Sequence, residues 1–211
     1  MRPAGIGSVY LDLRSMIDAL AAYIKMKTIV INLFGVPGAG KSTGAAYIFA
    51  MLKMNGVNAE LVTEFAKDKV WEENTEVFKN QSYIFGKQSF KMSRCRDKVE
   101  VIVTDSPLPL SIFYNNDTSL TENFNKSVMD VFNSYENRNY LLLRVKPYNA
   151  SGRLQTEEES NALAKPMMNL LETRNIKYYA IGGHQTGYDL IVENTLAELK
   201  KTKELENVIK V

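Results

Sequence analysis

Residues 28–43, TIVINLFGVPGAGKST, constrain this chain more than any other stretch. The first half, TIVINLF, is an apolar, β-branched run, which predicts a strand. It is too apolar to be half-exposed, so the strand is expected at the centre of a parallel sheet. Gly35, Gly38 and Gly40 then let the backbone turn with its N–H groups facing inward. After them, KSTGAAYIFAMLKMNG places Ala45, Ile48, Phe49 and Leu52 at helical spacing, and Asn55-Gly56 stops the helix. A strand that runs through a glycine turn into a helix aims several N–H groups and a positive helix end at one point, which suits an anion.

The spacing Gly35-x4-Gly40-Lys41-Ser42 is that of a P-loop. It predicts that Gly35, Val36, Pro37, Gly38, Ala39, Gly40, Lys41, Ser42 and Thr43 surround the phosphates of ATP. Lys41 is expected to reach the β- and γ-phosphates, and the Ser42 hydroxyl to ligate Mg²⁺.

Strand and helix patterns alternate along the rest of the chain. Strands are expected at 59–63, 99–105, 139–145 and 176–181. Helices are expected over most of 66–98, at 120–137 with Thr121 as cap, at 156–175 and at 189–201. Thr156 with Glu159 three residues on is a capping signature, and Pro166 is expected to bend its helix. The alternation predicts an α/β fold: one domain, a parallel five-stranded sheet, helices on both faces. Residues 1–25 stand apart. They are read either as an added amphipathic helix or as a start assigned too early, with the P-loop domain at 26–211 and a lid around 146–158.

Composition sets limits. With 211 residues, the chain is long enough for one domain with a real core. A net charge of +2 is too small to imply nucleic acid by itself. The single cysteine, Cys95, excludes an intrachain disulfide and fits a reducing, cytoplasmic setting. One cysteine and one histidine make a zinc site a poor expectation. No apolar run is long enough for a membrane helix.

Further residues complete a candidate site. Asp105 ends the third predicted strand, at the edge where a parallel sheet meets its ligand. It is a candidate for the Mg²⁺ site beside Ser42, or for contacting the acceptor. Glu64 follows the second strand on the same rim and can accept a proton from an attacking hydroxyl. In RVKPYNASGRLQ, Arg144 and Arg153 flank a turn-rich segment suited to a lid that closes arginines over a transferring phosphoryl group. Arg144 has a second reading, as a strand-end arginine paired to a helix carboxylate. His184, in GGHQTG, is read as a loop residue near the last strand, with contact to the adenine as a second reading and no catalytic role assigned.

INLFGVPGAGKST, LVTEFAKDKVWE, NQSYIFGKQ, VEVIVTDSPL and RVKPYNASGRLQTEEES together resemble bacteriophage P-loop proteins described as AAA-type ATPases or nucleotide-kinase-like. The resemblance spans about 26–200. That group is similar to the thymidylate kinase and deoxynucleoside kinase class, which implies a role for Glu64 near an acceptor hydroxyl or sugar. It also implies a base-reading glutamine, for which Gln81 and Gln88 are the matching candidates. The class often carries an arginine after the third strand, where this chain has Asp105-Ser106-Pro107. One phage branch resembles 5-hydroxymethyluracil DNA kinases, which would make modified-base DNA the partner and Phe65, Trp71, Tyr83 and Phe85 a stacking wall. The class also admits a homodimer.

The residues therefore predict an ATP-dependent kinase acting on a nucleoside, nucleotide or hydroxymethylated pyrimidine. Lys41, Glu64, Asp105 and Arg153 are its expected catalytic groups. A partner-stimulated switch ATPase is the alternative, and a nucleotide-sensing module the third reading. A GTPase is disfavoured, because NKS at 125–127 lacks the aspartate of a guanine motif.

Overall fold

The computed structural model describes residues 15–16, 27–66, 75–149 and 156–209. The lid residues 150–155, Arg153 among them, and most of the 1–25 extension lie outside these, as does Trp71.

The five strands are β1 (Ile29–Phe34), β2 (Ala59–Val62), β3 (Val101–Thr104), β4 (Glu136–Leu143) and β5 (Tyr179–Gly182). They form one parallel sheet in the order β2-β3-β1-β4-β5. The expected fold is the observed one, and β1 takes the central place its apolar sequence requires. All five carboxyl ends share one rim. There the glycine turn leaves β1, Glu64 follows β2 and Asp105 follows β3.

Seven helices are described: α1 (Lys41–Met54), α2 (Gln81–Ser93), α3 (Leu110–Phe113), α4 (Glu122–Asn133), α5 (Glu157–Ala162), α6 (Ala164–Thr173) and α7 (Gln185–Ile209). Alternation along β1 divides the core. Ile29, Ile31 and Leu33 pack with Ile48 and Leu52 of α1 and Ile191 and Leu199 of α7. Val30 and Phe34 face the other way, onto Met92 of α2, Val128 and Phe132 of α4, and Met167 and Leu171 of α6. Cys95 lies buried in that second cluster.

Local chemistry accounts for most boundaries. Asn55 closes α1, and Gly56 takes φ +77° just beyond it. Thr121 caps α4, and Thr156 with Glu159 forms a complete capping box on α5.

Several boundaries differ from expectation. Within 66–98, expected to be mostly helix, a 3₁₀ turn, Thr75–Lys79, precedes α2, which Asn80 caps through Tyr83 N–H. The stretch 120–137 is not helical to its end. Glu136 and Asn137 begin β4, their polarity suiting a half-buried start. The stretch 156–175 breaks at Leu163 into α5 and α6. Pro166 sits in the first turn of α6, where no N–H partner is required, so it does not bend the helix. The last helix begins at Gln185 rather than 189 and runs to Ile209.

Asn32 is a fully buried amide in the middle of β1. Its Nδ2 donates to Asn137 Oδ1 at 2.8 Å and Asn139 Oδ1 at 3.0 Å across the sheet. The polar start of β4 thus meets the one polar residue of β1. α7 is tied to the sheet by a two-pronged ion pair from Arg138 to Glu198, and by Lys203 to Glu100 at 2.8 Å.

Arg174, at the end of α6, pairs with Glu122 in the first turn of α4. That pairing, with a further bond from Asn125, holds the Glu122 carboxyl down at about 2 against an ordinary 4.5. A depressed carboxyl contributes stability above its unfolded value and loses that contribution as pH falls towards the folded value. Thermal melts of wild type and Glu122→Gln should therefore differ at pH 7, and the difference should close between pH 4.5 and 2.

Candidate functional site

The glycine loop supplies the floor. Gly35, Gly38 and Gly40 have φ of +145°, +82° and +95°, which side-chain-bearing residues rarely adopt. Their neighbours also crowd in. A Cβ on Gly38 would lie 2.9 Å from the Tyr148 ring, and one on Gly40 2.4 Å from the Tyr188 hydroxyl. Lys41 Nζ donates to the carbonyls of Gly35 at 2.7 Å and Val36 at 3.3 Å, so its ammonium lies against the loop. Ser42 and Thr43, in the first turn of α1, are exposed.

The opposite wall is the 63–65 turn after β2, fixed at three successive residues. Lys91 Nζ donates to Thr63 O at 2.7 Å. Glu64 N–H donates to Asp105 Oδ1 at 3.0 Å. Phe65 N–H donates to Gln88 Oε1 at 3.1 Å. Asp105 is buried, and this bond joins the two predicted carboxylate positions directly. Tyr114, at the end of α3, lies close enough to Glu64 to sense its charge. Burial first, and that negative charge second, push the phenol well above its ordinary range. The phenol therefore stays protonated and able to donate.

Gln88 bonds within the protein on both sides of its amide. It is buried, and its amide donates to Thr104 Oγ1 at 3.4 Å while it accepts from Phe65 N–H. Gln81 is buried too and donates to Phe78 O at 3.1 Å. Of the expected aromatic wall, Phe65 and Tyr83 meet edge to face at 5.6 Å, whereas Phe85 packs on Phe124.

Arg144 follows β4 and runs beside the loop, its Cδ 3.6 Å from where a Cβ on Gly38 would stand. It pairs with Glu157 at 3.3 Å and with Asn161, both on α5, and lies over the Tyr148 ring. This agrees with its reading as a partner of a helix carboxylate. Its Nη1 is buried without a hydrogen-bond partner among the described residues, so one donor is left for a ligand. Ser160, also on α5 and fully buried, donates to Pro37 O at 2.7 Å.

The third wall is the turn from β5 into α7. Gly183 N–H donates to Leu143 O at 2.8 Å, and a Cβ on Gly183 would lie 1.9 Å from Ala39 O. His184 Nδ1 accepts from Gly187 N–H at 3.2 Å. Tyr188 donates to Gly40 O at 3.0 Å.

The structure thus brings Glu64 and Asp105 together, and sets Arg144 against the loop that carries Lys41. Arg153 lies outside the described residues. Tyr114 and Tyr188 lie in no motif of the sequence, and Tyr148 and Ser160, though inside RVKPYNASGRLQTEEES, carry no signal there of their contacts with the glycine loop.

Among the described residues no three His, Cys, Asp or Glu side chains cluster as a ready-made metal cage. A magnesium ion does not need one, because it keeps waters and shares the phosphates of its nucleotide. An exposed Ser42 hydroxyl and the Asp105 carboxylate fit that chemistry.

A strand, a glycine turn with inward amides and a helix opening on Lys-Ser define a P-loop nucleotide-binding class. The chain belongs to the AAA domain family, whose model matches residues 30–186. No curated protein matches it in sequence. In structure it is similar to a deoxyadenosine kinase from M. mycoides described with products dCMP and a flexible dCDP bound. The TM-score is 0.50 at 20% identity, over 80% of this chain and 99% of that one. The same kinase with bound dATP gives a TM-score of 0.47 at 22% identity, over 78% and 97%. The first of these likenesses establishes a shared fold. No described helix is long and apolar enough to cross a membrane.

Gly183→Ala should collide with the Ala39 carbonyl, which is backbone and cannot rotate aside. It should lower stability by about 1–3 kcal/mol, the usual cost of overpacking, and weaken ATP binding by displacing the loop. Thermal melting and ATP titration check both effects.

Proposed function

We propose that this protein is an ATP-dependent kinase that phosphorylates a hydroxyl of a nucleoside-type acceptor. The observation that carries this reading is the Glu64–Asp105 pair, buttressed at three backbone points and set on the same sheet rim as the glycine loop. A hydrolase needs only the loop and a positioned water. A second wall with a carboxylate beside a neutral phenol suits an organic acceptor better. The kinase-like fold adds support, since the M. mycoides relative is named for a nucleoside substrate.

In this reading the loop amides and Lys41 take the β- and γ-phosphates. Ser42 and Asp105 would hold Mg²⁺, which would supply positive charge to offset that building on the phosphates. Glu64 orients the acceptor hydroxyl and accepts its proton. The acceptor oxygen bonds to the γ-phosphorus, the β–γ bridge P–O bond breaks, and ADP leaves. Arg144 approaches the phosphates from β4, and Arg153 closes over them from the lid. Tyr114 donates to Glu64 or to the acceptor. The finer proposal is a hydroxymethylated pyrimidine, such as 5-hydroxymethyluracil in DNA, stacked near Phe65 and Tyr83.

The test is γ-labelled ATP and Mg²⁺ with deoxynucleosides, their monophosphates, plain DNA and DNA containing 5-hydroxymethyluracil. Label should appear on an organic acceptor, with Lys41→Ala reducing transfer by about 10²–10³-fold or more. Label on the modified DNA alone would support the finer proposal. Phosphate released only to water would sink the kinase reading and favour the switch ATPase. Asp105→Asn keeps an acceptor for Glu64 N–H but loses the charge. It should fold normally and need about 10–100-fold more Mg²⁺, read as the Mg²⁺ dependence of transfer.

A further inference from the structure

Three carbonyls of the glycine loop are held by groups outside the loop backbone. Gly35 O accepts from Lys41 Nζ at 2.7 Å, Pro37 O from Ser160 Oγ at 2.7 Å and Gly40 O from Tyr188 Oη at 3.0 Å. No described peptide bond is cis. In a trans peptide the C=O and the next residue's N–H point in opposite directions across one rigid plane. Holding a carbonyl outward therefore aims the following amide inward. Ser160 sets the Pro37–Gly38 plane and so the Gly38 N–H. Gly40 O also accepts from Gly44 N–H at 2.8 Å in the first turn of α1, so Tyr188 adds a second hold on the Gly40–Lys41 plane and so on the Lys41 N–H.

The three clamps differ in what a ligand does to them. Lys41 is itself expected to move onto the phosphates, which releases Gly35 O. Ser160 and Tyr188 approach from behind the loop and can stay in place. Both are buried. Tyr188 reaches its carbonyl only because Gly44 has no side chain: a Cβ there would lie 2.6 Å from the ring. Ser160 shares α5 with Glu157 and Asn161, which hold Arg144. One short helix thus fixes an amide of the cradle and the arginine beside it.

We infer that Ser160 and Tyr188 are positioning residues for phosphate binding, each aiming one backbone amide, of Gly38 and Lys41 respectively, into the cradle. The inference rests on the phosphate-binding part of the proposed function and deepens it. It needs neither the kinase reaction nor any acceptor.

The probe is inorganic tripolyphosphate, which reports on the cradle without a base or sugar. Titrations of wild type, Ser160→Ala, Tyr188→Phe and the double variant would be followed by calorimetry and by ¹⁵N amide shifts, at a temperature where melting curves show all four folded. Each single variant should bind about fivefold more weakly, in line with the loss of one ordinary hydrogen bond, and the double about 25-fold. The largest shift changes should fall on Gly38 N–H in Ser160→Ala and on Lys41 N–H in Tyr188→Phe. Tyr188→Phe keeps the ring and its packing, so it tests the hydroxyl alone even if Ser160→Ala proves unstable. Wild-type affinity in variants that merely melt earlier would overturn the inference and leave the proposed function standing. No binding of tripolyphosphate by wild type would overturn both.

Discussion

A loop with glycines at positive φ has little shape of its own, because those residues accept many conformations. Here its shape comes from the hydrogen bonds made by its carbonyls to groups brought from elsewhere in the fold. α7 provides the Tyr188 hydroxyl, α5 provides the Ser160 hydroxyl, and the turn before α7 packs Gly183 against Ala39. Those partners add to the loop's own backbone bonds, Ala39 N–H to Val36 O at 3.1 Å and Gly44 N–H to Gly40 O at 2.8 Å, in setting where the amides point. The order of the sheet follows from the same requirement. β1 must be central for helices on both faces and turns on both sides to reach the loop that leaves it.

The second wall is built by the same method with other atoms. Thr63 and Glu64 have no regular structure of their own, and Phe65 opens a helical segment. Each has one backbone group bonded to a side chain from α2 or from the end of β3. Asp105 has a double part in this, holding the turn through one oxygen while its charge suits a cation. An arginine after β3 could not take this place. The backbone of the turn needs an acceptor at that spot, and arginine has none.

Sequence and structure agree where the determinants are local. The β1 strand, the glycine turn, the start of α1, the Thr156 capping box and the rim positions of Glu64 and Asp105 all depend on residues within a few positions of one another. Agreement fails where a distant partner decides. Glu136-Asn137 reads as the end of a helix, yet it begins a strand, where Asn137 meets Asn32 across the sheet. Gln88 carries no sign in the sequence that its amide joins the ends of β2 and β3. Tyr188 and Ser160 look like ordinary helix residues because the carbonyls they hold lie 148 and 123 positions away.

That separation also has a consequence in time. The glycine loop is among the first parts of the domain to leave a ribosome, and the hydroxyl that orients its Lys41 amide comes 148 residues later. At about 5–20 residues per second, roughly 7–30 s pass between the two. Throughout that interval β1 and α1 can form, but the nascent chain carries its most recognisable motif as an unfinished pocket. The set of bonds on the loop's carbonyls is complete only when α7 docks, close to the end of synthesis, so a truncated product keeps the motif and lacks the Tyr188 bond.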